Sequence, residues 1–207
     1  EICSALIGLN SDDQRLIDGT IIALDGTSSK KRLGANVTLA VSLAAAQAAA
    51  AAKKMPLYRS LGGKYGRKMP RPMMNILNGG AHAANNIDIQ EFMIIPEKAQ
   101  SFREGVRQCC EVYHTLGKLL KSMGHGSGVG DEGGFAPNLG SDEEALEIIV
   151  EAIEKAGYTT DEIKLALDVA ASEWYEDNAY HQPKRDRMLS AAELIDYYAE
   201  LSEKYPV

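Results

Sequence analysis

The chain has 207 residues, 45% hydrophobic and 25% charged, an ordinary globular composition long enough for one sizeable core or two small ones. Its formal charge of −7 leaves no basic excess to neutralise phosphates, which argues against a nucleic-acid partner and against an anionic membrane surface. An anionic small substrate therefore calls for locally placed cations or a metal ion. The three cysteines, Cys3, Cys109 and Cys110, are odd in number and two are adjacent. They fit neither a disulfide framework nor a Cys-x-x-Cys metal site, and read as cytosolic thiols within helices. No secretory signal opens the chain, and the alanine-rich run 40–52 reads as too short and too weakly apolar to span a bilayer. The sequon Asn36-Val37-Thr38 reads as a chance match in a chain with no export signal. The chain opens inside an apolar segment without an initiating methionine and stops where a new element is due, so it reads as a piece of a longer protein.

Residues 1–60 read as helical, punctuated by Asp12-Asp13 and Asp25-Gly26, with one long alanine-rich helix over 34–53. Three glycines and two prolines between Gly62 and Pro72 then mark a domain boundary, which divides the chain into 1–66 and 67–207. Beyond it, the apolar runs 73–77 and 91–95 suit buried strands. Ser101 with Glu104 predicts a capped helix with Val106, Cys109, Tyr113, Leu116 and Leu120 along one face and Gly124 as its stop. Ser141 with Glu144 predicts the next, striped by Leu146, Ile149, Val150 and Ile153 and ended by Gly157. Residues 163–167 read as a strand ending at Asp168. Ser190 with Glu193 opens a last helix carrying Leu194, Tyr197 and Leu201, and a further strand is expected from Tyr205 onward. Alternating strands and capped helices predict an α/β fold with a largely parallel sheet, whose chemistry belongs at the C-terminal ends of its strands.

Three polar clusters sit at such positions. Asn78-Gly79-Gly80-Ala81-His82 leads through Asn85-Asn86 to Asp88, Gln90 and Glu91. His82 can supply a donor that is cationic near neutral pH, and one of Gln90 and Glu91 should face inward. A glycine turn whose histidine merely bonds backbone is the competing reading. The second cluster lies in a loop with seven glycines from Gly124 to Gly140, either a mobile lid or a loop forced into left-handed geometry. It is no Walker loop, because no Gly-Lys-Ser/Thr follows. Its Asp131 and Glu132 suit general acid work or metal contact, against a solvated acidic turn. The third is Asp168, a hard oxygen donor suited to Mg²⁺ or, alternatively, a helix N-cap.

Four stretches resemble enolase motifs, in enolase order. They are Met73-Met74-Asn75-Ile76-Leu77-Asn78-Gly79-Gly80-Ala81-His82-Ala83, Asp88-Ile89-Gln90-Glu91-Phe92-Met93, Val129-Gly130-Asp131-Glu132-Gly133-Gly134-Phe135-Ala136-Pro137-Asn138 and Leu167-Asp168-Val169-Ala170-Ala171-Ser172-Glu173. The similarity extends through Leu24-Asp25-Gly26-Thr27, Gly34-Ala35-Asn36 and Met55-Pro56-Leu57-Tyr58, and so covers essentially the whole chain. It implies the helical part of a smaller α+β N-terminal domain, followed by the opening half of a modified β/α (TIM-like) barrel whose first strands depart from plain βα alternation. It also implies Mg²⁺-dependent dehydration of 2-phosphoglycerate to phosphoenolpyruvate in glycolysis, and the reverse in gluconeogenesis. Glu132 would then be the general acid for the leaving hydroxyl, with Glu91 beside it in one hydrogen-bond network. His82 and Gln90 would contact substrate, and Asp168 would be one of three carboxylate ligands of Mg²⁺. The proton to be removed lies α to a carboxylate and is very weakly acidic, so divalent metal must stabilise the dianion formed.

The family's remaining metal carboxylates, base lysine and phosphate-binding residues are expected beyond Val207, and a substrate-closing loop before Glu1. The 207 residues alone are thus expected not to turn over substrate. The resemblance further implies a cytoplasmic homodimer or larger homo-oligomer without a transmembrane segment. The alternatives are another superfamily dehydratase, or a non-catalytic plasminogen-binding role at the cell surface or in a secreted form.

Overall fold

Residues 1–207 are all described in the computed structural model, and the chain divides between Met69 and Pro70. The first unit is helical throughout: α1 (Ile2–Leu6), α2 (Gln14–Asp25), α3 (Ala35–Ala52), α4 (Leu57–Gly62) and a closing 3-10 turn (Gly63–Tyr65). Asp13 caps α2 by accepting from the Leu16 amide at 3.0 Å. The Gln14 side-chain amide crosses to α3, donating to the carbonyl and hydroxyl of Ser42 at 3.1 and 3.0 Å. Buried Asp25 ends α2, accepting from the amides of Thr27 (3.0 Å) and Leu33 (2.7 Å). Bonds from Thr27 and Leu33 hold its carboxyl below the usual range, against the opposing push of burial. At 18 residues, α3 is long and apolar enough, by length and composition, to cross a membrane. The helix starts at Ala35, in line with the reading over 34–53, and takes in Val37 and Leu39 beyond the run 40–52. Ala46, Ala49 and Ala50 are its buried face.

The second unit is built on β1 (Met74–Asn78), β2 (Glu91–Pro96) and β3 (Ile163–Asp168), in that order across the sheet. Both pairings are antiparallel, so the expected largely parallel sheet is not what forms here. The reason is the connection. Only residues 79–90 join β1 to β2, with a 3-10 turn (Gly80–His82) and no packed helix, so the chain reverses beside itself. Two helices in succession, α5 (Phe102–Ser122) and α6 (Asp142–Lys155), then separate β2 from β3. Their rise and descent bring β3 back parallel to β1. The strand order thus follows the departure from βα alternation that the enolase resemblance implies.

One face of the sheet packs on α5 and α6 through Phe92, Ile94 and Leu165 against Cys109, Val112, Leu116, Leu146, Ile149 and Ile153. Burial pushes the Cys109 thiol up to about 11, while Cys3 and Cys110 are exposed; all three are unpaired and lie in helices. The seam of α5 differs from the expected stripe, because Val112 and Leu119 are buried and Val106 and Tyr113 only partly. Tyr113 serves the glycine loop instead: its ring stacks on Phe135 at 4.6 Å and its hydroxyl donates to the Gly133 carbonyl at 2.9 Å.

After β3 comes an unforeseen antiparallel meander of β4 (Tyr175–Glu176), β5 (Ala179–Gln182) and β6 (Arg187–Leu189). Its first turn is Asp177-Asn178, both at positive φ (49° and 63°), which is hairpin-turn geometry. Helix α7 (Ala191–Lys204) buries Leu194, Tyr197 and Leu201 as expected. From Tyr205 no strand forms, although the Leu165 amide donates to the Pro206 carbonyl at 2.9 Å, laying the segment along β3.

Each of the three helix-opening serines accepts from the predicted amide. The reciprocal half of the box forms only at α7, where Glu193 accepts from the Ser190 amide at 2.8 Å. Glu104 instead pairs with Arg107 at 3.0 Å, and Glu144 accepts from the Gly140 amide. Ser190→Ala should therefore cost about 1 kcal/mol of stability in urea titration, and more than Ser101→Ala, which breaks a single bond. Equal losses would mean that the second bond removed with the Ser190 hydroxyl, the one it donates to Glu193 Oε2 at 2.8 Å, contributes nothing.

Candidate active site

The register of the sheet aligns Asn78 with Glu91 and Glu91 with Asp168. These three side chains share one face and one edge, opposite the face that packs on the helices. Glu91 begins its strand, but the reversal of β2 brings it to the edge where β1 and β3 end. A β-bulge between Asn75 and Leu77 adds Asn75 to the same face. Three residues apart in a regular strand, Asn75 and Asn78 would point oppositely; the extra residue restores the phase.

The glycine-rich loop returns to this edge between α5 and α6, and it is pinned rather than free. Phe135 donates to the Ile76 carbonyl at 2.9 Å, and the Asn78 amide donates to the Phe135 carbonyl at 2.8 Å, which adds one parallel bridge to β1. The Asp131 amide donates to the His82 carbonyl at 3.0 Å. Close approach is what demands glycine here. A Cβ on Gly130 would stand 2.6 Å from the His82 carbonyl oxygen, and one on Gly134 would stand 2.8 Å from the Leu77 nitrogen. The left-handed reading holds at Gly124 and Gly133, at φ 87° and 82°, while close approach accounts for Gly130 and Gly134.

With the loop in place, His82, Glu91 and Glu132 meet. The His82 Nδ1 lies 3.5 Å from Glu91 Oε1 and 4.0 Å from Glu132 Oε1. Asn75 Nδ2 donates to Glu132 Oε2 at 3.0 Å. Burial, followed by the hydrogen bond and charge of Glu132, raises the Glu91 carboxyl above its ordinary value; Asp168 adds to this and His82 opposes it. Glu132 is held below its ordinary value, first by the Asn75 amide and then by the bond with Glu91. Of the two carboxyls, the less exposed Glu91 is the one whose protonated form its surroundings favour. The side chains are 13% and 46% exposed, so Glu132 is the member that faces out.

Asp168 is exposed, and its Oδ1 accepts from the Ala170 amide at 2.9 Å. Gln90 stands next to Glu91, its carbonyl accepting from the Gly79 amide at 2.9 Å. Asp131 follows the loop backbone to the rim and belongs to the exposed surface. The arrangement gathers His82, Glu91, Glu132 and Asp168 on one edge of one sheet, with the Gln90 backbone beside them.

Two family models cover nearly all of the chain: "Enolase, N-terminal domain" over residues 1–61 and "Enolase, C-terminal TIM barrel domain" over residues 66–207. The chain belongs to the enolase family. Its α/β architecture is accordingly a partial enolase fold, with helices of the N-terminal domain followed by strands and helices of the barrel.

Enolase-family sites work with metal ions, and two places on this edge offer ligands. The atoms of His82, Glu91 and Glu132 lie within 4.8 Å of one another, close enough to hold an ion. A set that includes an imidazole nitrogen suits Mg²⁺ poorly, since that ion takes oxygen donors and keeps several waters. Asp168, an exposed carboxylate in register with Glu91, fits Mg²⁺ by donor type. Sequence reasoning assigned no role to Asn75, although a polar side chain within the apolar run 73–77 was a visible signal. It equally passed over Lys184, whose partners come from loops a hundred residues away.

Carbon-13 titration of the glutamate carboxyls in the protein should find Glu91 above and Glu132 below the ordinary value of 4.5. In Glu132→Gln the Glu91 carboxyl should move back toward 4.5, because two of its raising influences are then gone. A raised folded-state value means that the favourable contribution of protonated Glu91 is full below the unfolded value and lost as pH rises through the folded one. Glu91→Gln should therefore gain stability relative to wild type as pH rises from 4.5 toward neutrality. A flat difference would place the proton elsewhere.

Proposed function

We propose that this chain supplies the acid side of an enolase active site, for the Mg²⁺-dependent dehydration of 2-phosphoglycerate to phosphoenolpyruvate. What carries the reading is the meeting of half-buried Glu91 and exposed Glu132 around His82, in line with Asp168.

Loss of the 3-hydroxyl as hydroxide is very unfavourable near neutral pH, so the leaving oxygen must receive a proton as its bond to carbon breaks. Glu91 holds that proton at rest. Glu132, the more exposed carboxyl, passes it on: the proton crosses the Glu91–Glu132 hydrogen bond, Glu132 delivers it, water departs and Glu91 is left ionised. Asn75 keeps Glu132 oriented between transfers. His82 and Gln90 line the same edge, where an imidazole and a side-chain amide can donate hydrogen bonds to an anionic substrate. Asp168 would hold Mg²⁺, which when bound supplies positive charge against the charge that develops on the substrate carboxylate.

In the complete enzyme, Glu132→Gln should keep Mg²⁺ binding and lose dehydration by about 10²- to 10⁴-fold in kcat, the usual worth of a positioned proton donor. Near wild-type turnover would remove Glu132 from the role. Asp168→Asn should weaken Mg²⁺ binding, measured by calorimetry, by at least the roughly 10- to 100-fold that loss of an outer partner costs. Unchanged Mg²⁺ affinity would remove Asp168 from the ligand set.

A further inference from the structure

The turn between β5 and β6 reaches back to the loop that carries His82. The Lys184 ammonium donates to the carbonyls of Gly80 at 2.7 Å and Ala83 at 2.8 Å, and to Asn85 Oδ1 at 3.3 Å. Its three donors are thereby used. The first acceptor opens the 3-10 turn Gly80–His82 and the second lies just past it, so the ammonium bridges the two ends of the turn. The Lys184 backbone amide donates to Oδ1 of buried Asp88 at 2.9 Å, so the lysine is fixed at both its backbone and its tip. Asn85 extends the chain of contacts, donating to the carbonyls of Asn78 at 2.9 Å and Pro137 at 3.0 Å. Burial pulls the ammonium below the ordinary lysine range while Asp88 and Asp142 push it back up. A lysine placed here without a task would leave for solvent, since desolvating an ammonium is costly unless all its donors are met.

We propose that Lys184 is a positioning residue for the candidate active site, its ammonium clamping the turn Gly80–His82 and so setting where the His82 imidazole stands. Lys184 touches neither His82 nor either glutamate; it acts on the backbone that carries the imidazole. The proposal rests on the reading of His82 as a substrate contact.

The test compares Lys184→Met, Lys184→Arg, His82→Asn and the double variant Lys184→Met/His82→Asn in the complete enzyme. A second readout is hydrogen exchange at the amides of His82, which donates to Gly79, and of Asp131, which donates to His82. Lys184→Met should lower kcat/KM by about 10- to 100-fold, the scale on which a displacement near 1 Å acts, and should speed exchange at both amides. Lys184→Arg should recover part of the loss, because a cation with several donors remains. The double variant should be little worse than His82→Asn, since a residue acting through His82 has nothing left to position. Full additivity would sink the proposal, because lost fold stability adds to a lost contact. So would kcat/KM within twofold of wild type in Lys184→Met. Should that variant not fold, Lys184→Gln, which keeps a donor, carries the same comparison. Unchanged kcat/KM in His82→Asn overturns the substrate reading and this proposal together. An impaired His82→Asn beside an unimpaired Lys184→Met overturns the proposal alone.

Discussion

The direction of β2 is the constraint on which the site depends. A six-residue strand is about 20 Å long, so a parallel β2 would leave Glu91 at the far edge of the sheet from Asn78 and Asp168. Reversal places all three in one row. The same reversal fixes what surrounds them. Residues 79–90 need only turn the chain, which leaves them free to carry His82 and Gln90. With β2 ending at the opposite edge, α5 must climb and α6 descend before β3 can start, and the loop between those helices returns to the row. Glu132 arrives by that route.

Electrostatics follows from this crowding. Like charges directly opposite in a sheet destabilise it, and Glu91 faces Asp168 while also meeting Glu132. Such crowding favours the protonated form of one carboxyl. Burial selects Glu91, because desolvation penalises its charged form most. Glu132 is held below its ordinary value because Asn75 donates to it, and Asn75 can do so because the bulge in β1 turns it to that face. A single extra residue in one strand thus helps decide which of two glutamate carboxyls is raised and which is held low.

Much of this was legible in the chain, for identifiable reasons. Serine caps marked the starts of α5, α6 and α7, and the apolar periods of α6 and α7 named their buried faces. Strand direction was not legible: runs such as 91–95 are apolar whether the strand is paired parallel or antiparallel. The reciprocal cap bonds were lost to competition, since Arg107 lies within reach of Glu104 three residues on. Tyr113 fell on the expected stripe of α5, yet its ring is drawn to Phe135, a contact that sequence spacing does not encode. The meander was signalled only by Asp177-Asn178, a turn between strands too short to show a period. Grouping His82, Gln90, Glu91, Glu132 and Asp168 by role came from the family resemblance, while the geometry that joins them came from register and the bulge.

The glycine loop shows why a glycine-rich segment need not be mobile. Glu132 sits between two anchored neighbours: the Asp131 amide is bonded to His82, and the Gly133 carbonyl accepts from Tyr113. Two residues on, Phe135 pairs with β1. What the glycines supply is the absence of Cβ atoms where Gly130 and Gly134 press against His82, Asn78 and Leu77. The backbone around Glu132 is therefore set, and only its side chain is left to move. An acid that must meet both a neighbouring carboxyl and a leaving oxygen gains from that division, because reorganising backbone during proton transfer would raise the barrier that a preorganised donor lowers.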